Sequence, residues 1–187
     1  TLLYSGMTRI RIKSFRRYPT EINISKVTME DAFVNLVIDS SNVVNIKWFT
    51  DRLKKPPDSQ KAKLHLKISS IELNGSRFSL SRMEHREART AISFSDFHLE
   101  DLNILVDNLE LKKGTVQMEV TRLSGTERSG FAIDQITTLL SISKSHLHFA
   151  GLGIETDRSQ MNIPQLEFDF ENFRKFKEFS TGVEMRF

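Results

Sequence analysis

Regular alternation of apolar and polar residues is the feature that most constrains how this chain can fold. It is clearest from Ala91 to Val120, where short runs place an apolar residue at every second position. Successive side chains of a β-strand point to opposite faces of the sheet, so these runs predict half-buried strands. Asp96, Asp101, Asp107-Asn108 and Lys112-Lys113-Gly114 separate the runs and suit bulges or tight turns. We predict a meander of short antiparallel strands with one apolar face.

The rest of the chain repeats this pattern at irregular spacing. Period-two runs resume from Lys63 and return again in the last third, so we predict one long sheet of near-equivalent strands. Asn74-Gly75-Ser76 is a residue combination typical of two-residue turns, and it predicts a hairpin. The segment from Phe131 to Leu140 fits a helix or a strand, and both interpretations stay open.

Helices and loops are predicted where the alternation stops. Ser40-Ser41-Asn42 offers helix N-caps before an amphipathic stretch, which a proline-rich loop follows. The predicted organisation is a single β-rich unit over 1–187, with a helix and proline-rich loop at about 43–60, loops at about 81–90 and 124–130, and a short helix at about 171–180. Because the chain begins at Thr1 and ends in a strand-like run at Phe187, we expect it to be a segment of a longer protein.

Composition excludes several classes of function. The formal net charge is +3 and the charged fraction is 27%, which gives no bias towards nucleic acid. The sequence has no cysteine, so disulfides, thiolate metal sites and cysteine nucleophiles are ruled out. No apolar run approaches the about 20 residues that cross a bilayer, so any membrane anchor lies outside these residues. The basic positions Arg9, Arg11, Lys13, Arg16 and Arg17 form either a strip for anionic headgroups or phosphate, or a solvated strand face.

No catalytic or metal motif stands out in the sequence. His146 and His148 lie two residues apart on one strand face, which is the geometry of a metal-binding pair. With no third ligand in reach along the sequence, we predict no metal site and no cofactor. The glycines form no phosphate-binding loop, and Ser129-Gly130 lacks the pattern of a nucleophile elbow. We therefore predict that the protein is not an enzyme.

The aromatic residues favour a purely apolar surface. There are 14 phenylalanines against two tyrosines and one tryptophan. Surfaces that recognise sugars or bases generally use rings with a polar handle or a stacking platform, which favours tyrosine and tryptophan. The apolar surface is then either a closed core or a greasy channel.

Four stretches carry a resemblance to a known family. They read NVVNIKWFTDRL, KISSIELNGSRFSL, FHLEDLNILVDNLELKKGTVQMEVTRLSGTERSGFAIDQI and LHFAGLGIETDRSQMNIPQLEFDF. Together they resemble the translocation and assembly module (TamB) and AsmA-like family, over about Ser25 to Phe170. The most specific pieces are the turn from Glu127 to Phe131 and the segment GLGIETDRS that ends at Ser159.

The resemblance implies a periplasmic protein of the cell envelope, anchored to the inner membrane by a segment not present here. It implies a mainly β fold, a curved, taco-like antiparallel meander sheet with an apolar concave face and two or three short helices. Such a groove would shelter phospholipid acyl chains during lipid transport to the outer membrane. A role in outer membrane biogenesis would involve an outer-membrane barrel assembly partner, bound through regions outside this segment.

The inward-facing apolar positions are the residues to which that role can be transferred. The candidate lining residues of the lipid groove are Leu64, Leu66, Ile71, Leu73, Phe78, Leu80, Phe94, Phe97, Leu99, Leu109, Leu111, Val116, Met118, Leu147, Phe149, Leu166, Phe168 and Phe170. Two alternatives remain. One is a structural or protein-interaction β domain with a filled core that holds partners by its edges, and the other is an enzyme, which would need a converging polar cluster.

Overall fold

The computed structural model of the protein describes residues 2–17, 20–41, 44–45, 65–82, 96–171 and 183–186. These residues are 82% strand and contain no helix, which confirms the predicted mainly β fold. The strands are β1 (Leu3–Tyr4), β2 (Met7–Arg16), β3 (Glu21–Glu30), β4 (Phe33–Ile38), β5 (His65–Arg82), β6 (Asp96–Lys112), β7 (Thr115–Glu127), β8 (Ala132–Ile142), β9 (His146–Thr156), β10 (Gln160–Phe170) and β11 (Val183–Arg186).

All eleven strands belong to one open, curved sheet. From β5 to β11 the strands are neighbours in chain order and antiparallel, as a meander requires. β3 and β4 lie end to end along the other side of β5, and both run parallel to it. β2 pairs with β3, and β1 pairs with β4.

The predicted antiparallel meander is confirmed from β5 to β11, whereas β3 and β4 pair with β5 in parallel. β5 is long enough to pair with both of them, and the chain keeps its direction through the break at Asp31, which has a φ of 50°. A parallel pair needs a crossover of about a dozen residues or more, and the connection from Asp39 to Leu64 is long enough to supply one.

The hairpin predicted at Asn74-Gly75-Ser76 is also wrong, because these residues lie inside β5. Gly75 has a φ of 53° and sits at a register shift against β6. Its backbone N–H donates to Oδ1 of Asn103 at 3.1 Å, and the N–H of Asp31 donates to the carbonyl of Asn74 at 3.1 Å. This bulge uses the same left-handed backbone as a tight turn, so the same residue types are typical of both.

Bulges recur through the sheet and keep its two faces in phase. A bulge accommodates one extra residue, so the side chains beyond it keep the face that strict alternation would have reversed. Eight residues, called the bulge residues below, occupy such positions: Lys13 in β2, Ser25 in β3, Gly75 in β5, Asp101 and Asn108 in β6, Thr121 in β7, Asp134 in β8 and Gly151 in β9.

Several predicted boundaries move or fall outside the described residues. β7 continues to Glu127, so the loop predicted at about 124–130 shrinks to the turn that follows it. β5 continues to Arg82, and residues 83–90 of the predicted loop lie outside the described residues. So do almost all of the helix and loop at about 43–60 and the helix at about 171–180. The segment from Phe131 to Leu140, which fitted a helix or a strand, is extended and forms most of β8.

Few apolar side chains of this sheet are fully buried. Among the described residues they are Ala32, Leu99, Leu102, Val106, Leu152 and Phe170. None of the described segments is a helix long and apolar enough to cross a bilayer.

Candidate functional site

The strongest feature of the described sheet is an unbroken row of apolar side chains across nine strands. Residues paired in adjacent strands project to the same face of a sheet, so strand register identifies the members. This first apolar row consists of Phe15, Ile22, Leu66, Leu111, Val116, Ile142, Leu147, Phe168 and Met185.

Further apolar rows lie on the same face. Val116, Met118 and Val120 alternate along β7 without an intervening bulge, so they share one face and tie the rows together. A second row begins with Ile12, Ile24, Ile68 and Leu109 and continues through Met118, Leu140, Phe149 and Leu166. A third contains Met29, Leu73, Ile104, Leu123, Ile136, Ile154 and Met161. The sheet face that carries these three rows is called the apolar face below.

Aromatic contacts consolidate two places on the apolar face. Phe149 and Phe168 meet edge to face, with ring centroids 6.3 Å apart. Phe78 and Phe97 lie 6.4 Å apart between β5 and β6. Such pairs contribute about 0.5–1.5 kcal/mol beyond their burial.

Exposure varies strongly over the apolar face. Ile12 and Phe15 on the outer strand β2 are 66% and 65% exposed, whereas Leu102 in the middle of the sheet is 4% exposed. Most members of the first row are half-buried. Because every described strand belongs to the same sheet, no second described layer covers this face.

The opposite face carries a matching polar row. In register with the first apolar row but one residue displaced along each strand, it consists of Ser14, Asn23, Lys67, Glu110, Gln117, Ser141, His148, Glu167 and Arg186. Nearby, Lys26 Nζ lies 2.6 Å from Oε1 of Glu72. The surface containing these residues is called the polar face below.

Histidine–carboxylate pairs recur on the polar face and favour the ionised carboxylate. A hydrogen bond from His65, at 2.6 Å, holds the pKa of Glu110 below its usual value against the opposing effect of burial. Hydrogen bonds from His98 first and Arg128 second lower the pKa of Asp96 in the same way. These carboxylates are partly exposed, so we read them as surface pairs of modest energy.

Glu127 is a buried carboxylate that no sequence pattern marks. It ends β7 on the apolar face, opposite Leu99, yet it is 3% exposed. Its Oε2 accepts a hydrogen bond from the N–H of Ser129 at 2.6 Å, and its Oε1 accepts one from the N–H of His98 at 3.5 Å. Burial raises the pKa of Glu127, but the hydrogen bonds from Ser129, His98 and Arg128 outweigh that effect and hold the pKa below its usual value.

The candidate lining residues share one face wherever they are described. Strand register and alternation place all of them on the apolar face except Leu64 and Phe94, which lie outside the described residues. The prediction missed other members of that face. Leu140 and Ile142 lie in or next to a segment whose sequence fits a helix as well as a strand, so its inward-facing residues could not be assigned. Ile12 and Phe15 alternate with basic residues, and the sequence analysis considered only the basic residues of that strand.

A group of possible metal ligands also escaped the sequence analysis. His146 and His148 on β9 meet Glu167 on β10, with one ligand atom from each residue lying within 4.8 Å of the others. Glu167 is the third ligand whose absence was the reason for predicting no metal site. Only the β9–β10 register, which pairs His148 with Glu167, brings it there.

Comparisons with known proteins add no relative. No family model matches the chain, and neither the curated proteins nor the solved structures contain a match.

Proposed function

We propose that the apolar face shelters phospholipid acyl chains as one section of a lipid-conducting groove. The observation that carries this proposal is the first apolar row, which crosses nine strands without a polar interruption while its members remain partly accessible to solvent. Large, continuous apolar surfaces that stay accessible to solvent usually mark a binding function. On this proposal the apolar face is the concave face of the curved sheet.

The energetic need for such a surface is large. Exposing a lipid tail to water costs about 0.8 kcal/mol per methylene, so a chain of about sixteen carbons costs on the order of 12 kcal/mol. Neighbouring strands lie about 4.8 Å apart, so a row across nine strands extends over about 38 Å. A tail lying along the rows would exchange one apolar neighbour for the next as it moves, without re-entering water.

The cellular setting follows from the sequence resemblance to the TamB and AsmA-like family. We propose that the chain is part of a periplasmic protein anchored to the inner membrane, which passes phospholipid towards the outer membrane and assists outer-membrane assembly. The anchor and the surface for a barrel partner would belong to other parts of that protein. The polar face, with its surface ion pairs, suits contact with an aqueous compartment.

Photo-crosslinking in cells tests the proposal. A crosslinking residue at Leu111 or Phe168 should capture phospholipid, because both belong to the first apolar row. The matched controls are Glu110 and Glu167, which are adjacent in the chain but belong to the polar row. Adducts confined to the apolar positions support the groove. A folded, functional protein without lipid adducts at any of the four positions contradicts it.

A second candidate function is protein binding through the sheet edge. It is favoured by β2, an outer strand of ten residues on which Ile10, Ile12 and Phe15 are all more than half exposed. Strand addition at such an edge is a common mode of association. Ile12→Lys should abolish concentration-dependent association in sedimentation experiments if this edge binds protein, and leave sedimentation unchanged if it does not.

A further inference from the structure

The β9–β10 pair brings two histidines and a carboxylate together on the polar face. His148 pairs in register with Glu167, and His146 pairs with Asp169. His146, His148 and Glu167 each offer a ligand atom within 4.8 Å of the other two. All three side chains are partly exposed.

The two imidazoles are placed to offer free nitrogen atoms. His146 Nδ1 lies 2.7 Å from Oδ1 of Asp169, which orients the ring and leaves Nε2 available. Metal-binding histidines commonly have their second nitrogen held by a carboxylate in this way. His148 Nε2 is buried and has no hydrogen-bond partner, and it stands 3.7 Å from Oε1 of Glu167. An unsatisfied buried nitrogen is rare in folded proteins and requires a partner.

We propose that His146, His148 and Glu167 bind a divalent transition metal ion of the zinc class. Imidazole and carboxylate are typical zinc ligands, whereas calcium and magnesium prefer sites made entirely of oxygen. Bonds of about 2.0–2.2 Å in tetrahedral geometry place ligand atoms about 3.4 Å apart, so small side-chain rotations close the site. Three protein ligands leave a fourth position open to water or to a group from another molecule.

The charges around the site are compatible with a cation. Glu167 and Asp169 carry negative charge, and the guanidinium of Arg186 is engaged by Asp169. On the β8 side the residue paired with His148 is the uncharged Ser141. A cleft of about 400 Å³ beside His148 provides an approach for the ion.

This metal site is independent of the proposed lipid groove. Its ligands lie on the polar face, whereas the acyl chains are proposed to contact the apolar face. An ion bound there would fasten β9 to β10 and keep the two strands in register.

Equilibrium dialysis of the metal-free full chain against zinc at pH 7.5 tests the proposal. We expect about one bound zinc ion per chain, and loss of that ion in His148→Gln and in Glu167→Gln. The matched control is His98→Gln, since His98 pairs with Asp96 on the same face but has no third ligand beside it among the described residues. This control should retain the ion.

Two further readouts separate ligation from folding. Asp169→Asn should weaken zinc binding about ten- to a hundredfold, the usual effect of losing a group that orients a ligand. Binding should also be lost at pH 5, because a protonated imidazole cannot ligate metal. Circular dichroism identifies any variant that is unfolded. If His148→Gln is unfolded, the zinc binding of Glu167→Gln tests the proposal in its place. Absence of saturable binding, binding retained in the folded ligand variants, or equal loss in His98→Gln overturns the proposal.

Discussion

At the scale of single residues, backbone conformation decides which face each side chain occupies. Asp101 and Asn108 have φ values of 50° and 55°, and Gly151 has a φ of 60°. Glycine adopts this region freely, and Asp and Asn tolerate it better than other residues do. Residues whose types are typical of turns therefore occupy bulges inside long strands, where they keep apolar and polar side chains on opposite faces.

Gly151→Ala should destabilise the protein by about 1–2 kcal/mol, the cost of placing a Cβ in left-handed backbone. An added Cβ would meet nothing within 4 Å, so strain rather than a steric clash is the cause. Asn108→Gly is the matched control, because it relieves the same backbone and should leave stability unchanged or slightly higher. Urea denaturation measures both, and equal stability of Gly151→Ala and the unmodified protein contradicts the assignment.

Glu127 should make stability depend on pH in the acidic range. Its pKa is lowered in the folded state, so its contribution is complete above the pKa of an unfolded glutamate, about 4.3, and is lost as the pH falls from there through the lower pKa of the folded protein. Glu127→Gln should cost about 1–3 kcal/mol at pH 7, because a buried acceptor of backbone N–H groups loses its charge. Glu100→Gln, on an exposed position of β6, should change little. Denaturation of the three proteins at pH 7 and pH 4 checks this, and a pH profile unaffected by Glu127→Gln contradicts it.

At the scale of elements, sequence patterning predicted strands well and their lengths poorly. The sequence predicts several short strands between Phe97 and Leu111, but these residues form the single strand β6. The sequence likewise predicts a turn at Gly75, which lies inside β5. A local sequence signals left-handed backbone, while only pairing with neighbouring strands decides whether the chain reverses there or continues.

Truncation of an apolar side chain should cost much more stability where the side chain is buried than where it is exposed. Leu102→Ala should cost about 2–5 kcal/mol, as deletions in a packed core do. Ile12→Ala should cost less than about 0.5 kcal/mol, because the side chain of Ile12 is already mostly in water. Chemical denaturation compares the two variants, and a large loss for Ile12→Ala would mean that β2 is covered in solution.

At the scale of the whole molecule, the separation into an apolar and a polar face was predictable, and the strand order was not. Alternation alone placed Leu66, Leu111 and Phe168 on one face, and strand register puts all three in a single row. The parallel pairing of β5 with β3 and β4, and the meeting of His148 with Glu167, depend on contacts between distant parts of the chain. No local pattern encodes such contacts.

If the apolar face binds acyl chains as proposed, a charge in the middle of the first apolar row should interrupt lipid binding. Val116→Asp places a carboxylate among acyl chains, which costs about 2.5–3.5 kcal/mol and corresponds to roughly a hundredfold loss of occupancy. Gln117→Asp adds the same charge to the polar face and should have little effect. Lipid adducts at Phe168 measure occupancy in each variant, with circular dichroism to verify folding. Undiminished adducts in a folded Val116→Asp protein contradict the groove.

The bulge residues also predict how sequences of this architecture can diverge. Losing a residue between two bulges, such as Leu105, would turn the residues of β6 that precede it to the opposite face, moving Ile104 and Leu102 into water and Asn103 among the apolar rows. Such a deletion is tolerated only with a compensating insertion in the same strand. Related proteins should therefore gain and lose residues at hairpin turns such as Lys113-Gly114. The number of residues between bulges should stay constant even where the side chains differ.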